Sequence, residues 1–313
     1  DRPARHIDNI RLFHRRGRTR FGTGKQVADV HPGRCGRLTI AAAPDQPDVT
    51  RPCVLGQPAG PRERFDDGDV LRPGIGTRSG HLAEDTLWDA ARSPYLVTSD
   101  VTVDPGVTLT IEAGTTVLVE SGNNGLEVEG TLLAEGVAFT AQRPAPDRGE
   151  WDAVEFYEGS SGSELRDCVI KYGGRDSSDA NVEIHESYPL VSDCLISESG
   201  AHGIGLWNTE ATIEFCELRD NQAYGIDTRR NDPSSPTVRS CTFIDNKAVM
   251  FQAANCYPVF EGRNAALVTS TDGSRWNGIE LGGGDITVSG AWRQTFVPYI
   301  VDDGIDVEPD TTL

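Results

Sequence analysis

Long apolar runs are missing from this chain of 313 residues. None approaches the ~20 residues of a membrane-spanning helix, which excludes a helical integral membrane protein. Methionine occurs once, and lysine stands only at Lys25, Lys171 and Lys247, with arginine in its place. Positive charge is in deficit. The formal net charge is −19, which speaks against nucleic acid as the main partner, because phosphate binding needs clustered positive charge. No cysteine lies in a CxxC pair or beside metal-spaced histidines, so zinc is not expected. Gly282-Gly283-Gly284 lacks a following helix and lysine, which excludes a phosphate-cradling loop. Against these absences stand 34 Gly, 18 Pro and many β-branched runs, a composition unlike that of a helical bundle.

Charge is unevenly spread. Residues 1–80 hold 15 Lys+Arg against 9 Asp+Glu, with 8 of the 18 Pro and no Trp or Tyr; the remainder holds 14 against 39. The first segment cannot bury enough apolar surface to offset its conformational entropy, so it reads as a low-order, basic, Pro/Arg-rich segment.

From His81 onward the texture changes. Short apolar-alternating runs at 95–97, 101–103, 107–111, 115–119, 126–128, 131–133 and 137–140 are broken by Gly, Asp and Asn, the pattern of β-strands. Internal repeats then decide between a sandwich and a solenoid. Four segments align without gaps: Leu165-x-x-Cys168-x-Ile170, Val191-x-x-Cys194-x-Ile196, Ile213-x-x-Cys216-x-Leu218 and Val238-x-x-Cys241-x-Phe243. Downstream, Asp220-Asn221 matches Asp245-Asn246, Ala201 matches Ala223 and Ala248, and Ile204 matches Ile226 and Phe251. Coils of this length, stacked roughly 4.8 Å apart, place identical side chains in ladders, so the sequence predicts a single-stranded parallel β-helix. Cys168, Cys194, Cys216 and Cys241 then form an interior free-thiol ladder, since parallel Cβ vectors strain a disulfide dihedral. Asn221 and Asn246 are expected to take positive φ at a coil corner, with Gly173 in their place earlier in the series.

Trp88, the 94–117 run from Pro94-Tyr95 to Val117, Gly130-Thr-Leu, Phe139-Thr and Trp151-Asp-Ala-Val-Glu-Phe156 resemble the opening of bacterial right-handed parallel β-helix repeat proteins of the pectate-lyase-like fold. The resemblance covers residues 81–313. It implies the right hand of the helix and a secreted or cell-surface location, and it carries little information on activity.

A longer repeat relates Trp88, Pro94-Tyr95 and Val101-x-Val103 to Trp292, Pro298-Tyr299 and Ile305-x-Val307, each pair 204 residues apart. It divides the chain into a β-helix at 81–290 and the start of a second, truncated module at 291–313, as in a piece of a larger multi-module protein. Trp151-Asp-Ala-Val-Glu-Phe156 also recurs as Trp276-Asn-Gly-Ile-Glu-Leu281, and both tryptophans read as packing residues.

Catalytic candidates are thin. Lyases of this fold abstract a proton with a basic residue, and the outward column Lys171, Ser197, Arg219, Ile244 supplies two bases, with Glu217 beside them. The acidic balance would repel uronate chains, however, and no carboxylate cluster of the kind hydrolases need stands out. His185 and His202 read as exposed loop residues. The leading expectation is therefore a non-enzymatic extracellular or cell-surface module with a structural, adhesive or carbohydrate-binding role. Its partners would be extracellular polysaccharide or cell-surface components, and it would be a monomer or self-associate through open solenoid ends. The alternative is a polysaccharide lyase or glycoside hydrolase. A third reading is a calcium-dependent carbohydrate-binding module with Asp176, Asp179 and Glu183 as oxygen ligands; no other metal or cofactor is expected.

Overall fold

The computed structural model describes residues 76–313 apart from 177–178, 229–232, 270–274 and 302. Most of the N-terminal basic segment, with Cys35, Cys53 and three of the six histidines, lies outside the described residues, as does part of the 229–236 loop. Within them the chain is all-β, a parallel solenoid of about ten turns. Its sole helical piece among the described residues is the short 3₁₀ turn Ala90–Arg92. No helix among these residues is long and apolar enough to cross a membrane.

Each coil contributes up to three strands. One coil, for example, runs Val169–Lys171, Ala180–His185, Leu190–Ser192. The first and second strands of successive coils join one 17-stranded sheet, and the third strands form an 8-stranded sheet. We refer to these stacks as the first, second and third faces. The predicted runs at 95–97 and 101–103 are the two ends of one strand, Tyr95–Val103, which bends across the first two faces. The solenoid begins ahead of His81, since Gly76–Leu82 pairs with Tyr95–Val103.

The repeat register emerges as stacked pairs. Leu165, Val191, Ile213 and Val238 form one interior ladder, and Ile170, Ile196, Leu218 and Phe243 another. The four cysteines between them are buried and free. Each Sγ donates to a carbonyl of the preceding coil: Ala134, Leu165, Val191 and Ile213, at 3.4–3.5 Å. Buried and unbridged in line, these thiols behave as a row of small apolar side chains.

The corners are built differently from the expectation. Asn221 and Asn246 do not carry the positive φ; the preceding residue does, at Tyr172, Glu198, Asp220 and Asp245, with φ between 52° and 68°. The asparagines turn inward instead. Asn221 Nδ2 donates to Asn246 Oδ1 at 2.9 Å, its Oδ1 accepts from the Ser199 N–H, and Asn246 Nδ2 donates to the Leu218 carbonyl. Asn181 extends this stack by donating to the Ser197 carbonyl and accepting from the Gly173 N–H. The corner thus needs a short side chain that satisfies buried backbone groups, a role glycine cannot fill.

One alignment slips. Ile226 stacks on Met250, not Phe251, and the Lys247 N–H, not that of Ala248, donates to the Ala223 carbonyl. The turn after Asn246 is one residue shorter than that after Asn221, and a slip of one residue exchanges the two faces of a strand. The single methionine is therefore fully buried, and Phe251 points outward, its ring 5.5 Å from that of Tyr224.

The 204-residue repeat has a local structural counterpart. Trp88 and Tyr95 stack at 5.0 Å, Trp292 and Tyr299 lie 6.0 Å apart, and each tyrosine hydroxyl donates to the carbonyl six residues back. Tyr299–Val301 stacks directly on Ile279–Leu281 of the coil before.

Candidate functional site

The second face differs from the other two in having strands buried on both sides. Ala180–His185, His202–Trp207 and Tyr224–Asp227 are almost wholly buried, whereas first-face strands alternate buried and solvent-facing positions. Side chains on the outer side of the second face therefore cover one another.

Two outward rows run along it. Register places Glu127, Glu155, Glu183, Gly205 and Asp227 in line. Two residues further along each strand, Tyr157, His185 and Trp207 form a stack of rings, with centroids 5.1 Å and 4.2 Å apart and planes within 15°. Gly205 admits this arrangement: a Cβ there would stand 2.5 Å from the Trp207 indole, which leans back across it.

Where the rows meet, a ligand atom each from Glu155, Glu183 and His185 lies within 4.8 Å of the others. His185 Nε2 and Glu183 Oε2 are 3.1 Å apart, and the other oxygen of Glu183 accepts from the Ala180 N–H at 3.0 Å. The Tyr157 hydroxyl donates to the Glu155 carboxyl. Burial, reinforced by Glu183, Asp152 and Glu127, pushes Glu155 up to about 8, against the lowering effect of the Tyr157 bond. Burial also lifts Asp152 to about 6, with Asp179, Glu183, Asp100 and Asp176 adding to it. Negative charge is crowded here beyond what solvent relieves.

The ring stack forms one wall of a cleft of about 500 Å³, completed by Pro105 and Asn208 and by the carboxylates Glu129, Glu158 and Glu186. No lysine or arginine is among these lining residues. Further along the same face His202 is buried, with Nε2 3.4 Å from Asp227 Oδ2, while its Nδ1 accepts from the Tyr224 N–H. Lys247 lies beyond, 3.5 Å from Glu280 and over the rings of Tyr224 and Trp276.

The residues singled out from the sequence fall in several places. The column Lys171, Ser197, Arg219, Ile244 is in register as expected, but on the first face, apart from the carboxylate row. Arg219 is held by Asp220 at 2.9 Å and Glu217 at 3.3 Å, all three at the surface. Asp176 and Asp179 close a turn on themselves, the Asp176 N–H donating to Asp179 Oδ2. Glu183 joins Glu155 and His185 instead. Two expectations are corrected. His185 and His202 are strand residues, not exposed loop residues, because the alternation that buries Ile184 and Leu206 also directs His185 and Trp207 onto the packed outer side. A carboxylate cluster does exist, on adjacent coils. The signal that finds it is the ladder Ile204, Val182, Val154, carried back across the unequal coil lengths that separate these residues.

Trp151 packs as expected, fully buried with Nε1 donating to the Lys171 carbonyl at 2.8 Å. Its echo Trp276 is half-buried. The two motifs place Glu155 and Glu280 on the outer side of equivalent second-face strands.

A family model described as a right-handed beta helix region matches residues 148–289. No curated protein and no solved structure matches the chain. The matched region coincides with the regular coils that carry the cysteine and asparagine ladders. The fold over the described residues is a parallel β-helix, and its central coils match the right-handed beta helix model.

Proposed function

We propose that this protein is an extracellular or cell-surface β-helix module that binds glycan along its second face. One observation carries the reading: the cleft lined together by three stacked rings, Pro105 and the carboxylates Glu129, Glu158 and Glu186. Sugars present apolar C–H surfaces that pack on aromatic walls and hydroxyls that donate to carboxylates, so a largely apolar cleft with a few fixed polar groups suits them. The charge selects among glycans. An acidic cleft without a lining lysine or arginine disfavours uronate chains and favours neutral or amino-sugar chains.

Calorimetric titration of the full chain with glucosamine, neutral glucose and galacturonate oligosaccharides tests this. Saturable binding of the amino-sugar or neutral oligomer, weakened at least tenfold in Trp207→Ala, is the expected result. Preference for the galacturonate oligomer, or no binding to any of the three, overturns it. Turnover of a bound oligomer, abolished in Glu155→Gln and Glu183→Gln, would replace the binding reading with a hydrolytic one.

A further inference from the structure

Among the described residues, Glu155, Glu183 and His185 bring three potential ligand atoms together, one of them an imidazole nitrogen, and all three side chains are already held. The His185 ring is clamped between Tyr157 and Trp207, 5.1 Å and 4.2 Å from their centroids. The second oxygen of Glu183 is fixed by the Ala180 N–H, and Glu155 by the Tyr157 hydroxyl. Outer contacts of this kind orient metal ligands and set their geometry.

We propose that Glu155, Glu183 and His185 form a binding site for a divalent transition-metal ion of the zinc class. Bonds of roughly 2.0–2.2 Å in a tetrahedral site put ligand atoms about 3.4 Å apart. The His185 Nε2–Glu183 Oε2 separation is 3.1 Å and all three ligand atoms lie within 4.8 Å of one another, so small side-chain adjustments complete three-point coordination. Donor chemistry selects the ion. Imidazole with two carboxylates suits zinc and its neighbours, whereas calcium and magnesium take oxygen ligands throughout. His185 also lines the cleft, so the site borders it. A cation would in addition relieve the crowding among Glu155, Glu183, Asp152 and Glu127.

The site is read without any glycan present, so it stands or falls separately from the glycan-binding reading. The full chain, stripped with chelator, is titrated with Zn²⁺ alone, Co²⁺ alone and Ca²⁺ alone. We expect saturable Zn²⁺ binding and a visible Co²⁺ absorption band, no competition from Ca²⁺, and a loss of roughly 100-fold in affinity in His185→Gln. Glu183→Gln, which keeps an acceptor for the Ala180 N–H, should also weaken binding. In the unsubstituted protein the His185 ring resonances should shift on adding Zn²⁺, a readout that needs no variant. Absence of saturable Zn²⁺ binding overturns the proposal, as does unchanged affinity in His185→Gln or an unmoved His185 resonance.

Discussion

The first and second faces are built by the same coils, a few residues apart, yet their outer sides are unlike. On the first face, three-residue strands alternate one buried side chain with exposed neighbours, and the charges of Arg219, Glu217 and Asp220 pair at the surface. On the second face, longer strands carry acids, histidines and rings that bury one another. The interior ladders are common to both. Stacking therefore sets the scaffold, and strand length and side-chain size set which outer face can hold chemistry. An exposed ion pair contributes little. A buried carboxylate, by contrast, is held by specific donors and alters its neighbours.

The largest effect is expected at the corner that joins the two faces. Asn221→Ala strands the Ser199 N–H and removes the donor to Asn246, which should cost about 3 kcal/mol, since each buried group left unpaired costs roughly 1–3 kcal/mol. Asp220→Gly, one residue earlier at positive φ, should change stability by less than about 1 kcal/mol, because glycine adopts that conformation freely. Equal losses in urea unfolding would return the corner role to the asparagine backbone.

Next comes a matched pair of acids. Glu183→Ala removes the acceptor of a buried N–H and should cost about 1–3 kcal/mol, while Glu217→Ala on the first face should cost no more than about 0.5 kcal/mol. Thermal melts of the two variants in parallel distinguish them, and similar shifts would erase the distinction between the faces.

A further effect is in the pH profile. Asp152 is lifted from 3.8 to about 6 and Glu155 from 4.5 to about 8. A carboxyl whose pKa rises on folding binds its proton more tightly in the folded state. Its contribution is therefore complete below the unfolded pKa and is lost as pH rises through the folded value. Stability should decline between about pH 4 and pH 8 from these two groups. Asp152→Asn should remove the lower part of the decline and Glu155→Gln the upper part, while Lys171→Ala and Arg219→Ala leave it in place. Denaturant midpoints measured across that range check the sign; a rise there in the unsubstituted protein, absent from both variants, would contradict it.

Much of the scaffold was legible because cysteine is rare and recurs once per coil, so a single residue type marked the register. The first-face column of Lys171 and Arg219 followed from that register alone. What the sequence concealed follows from unequal coil lengths. The shortened turn after Asn246 moved Met250 into the interior where Phe251 was expected. The irregular spacing ahead of Val182 hid the alignment of Glu155 with Glu183. Carboxylates are so abundant in this chain that no pair stands out until register places two on adjacent coils. The fold-back of Trp207 depends on the missing side chain at Gly205, a contact between two positions that no periodicity reveals. The inward turn of Asn221 was misread because asparagine suits both a positive φ and a buried hydrogen-bonding ladder.

We propose the second face, not the first, as the functional one. The most direct test titrates one amino-sugar oligosaccharide into the unsubstituted protein, Trp207→Ala and Arg219→Ala under identical conditions. At least a tenfold loss of affinity is expected in Trp207→Ala and none in Arg219→Ala. Loss in Arg219→Ala with Trp207→Ala unchanged would place binding on the first face and contradict it.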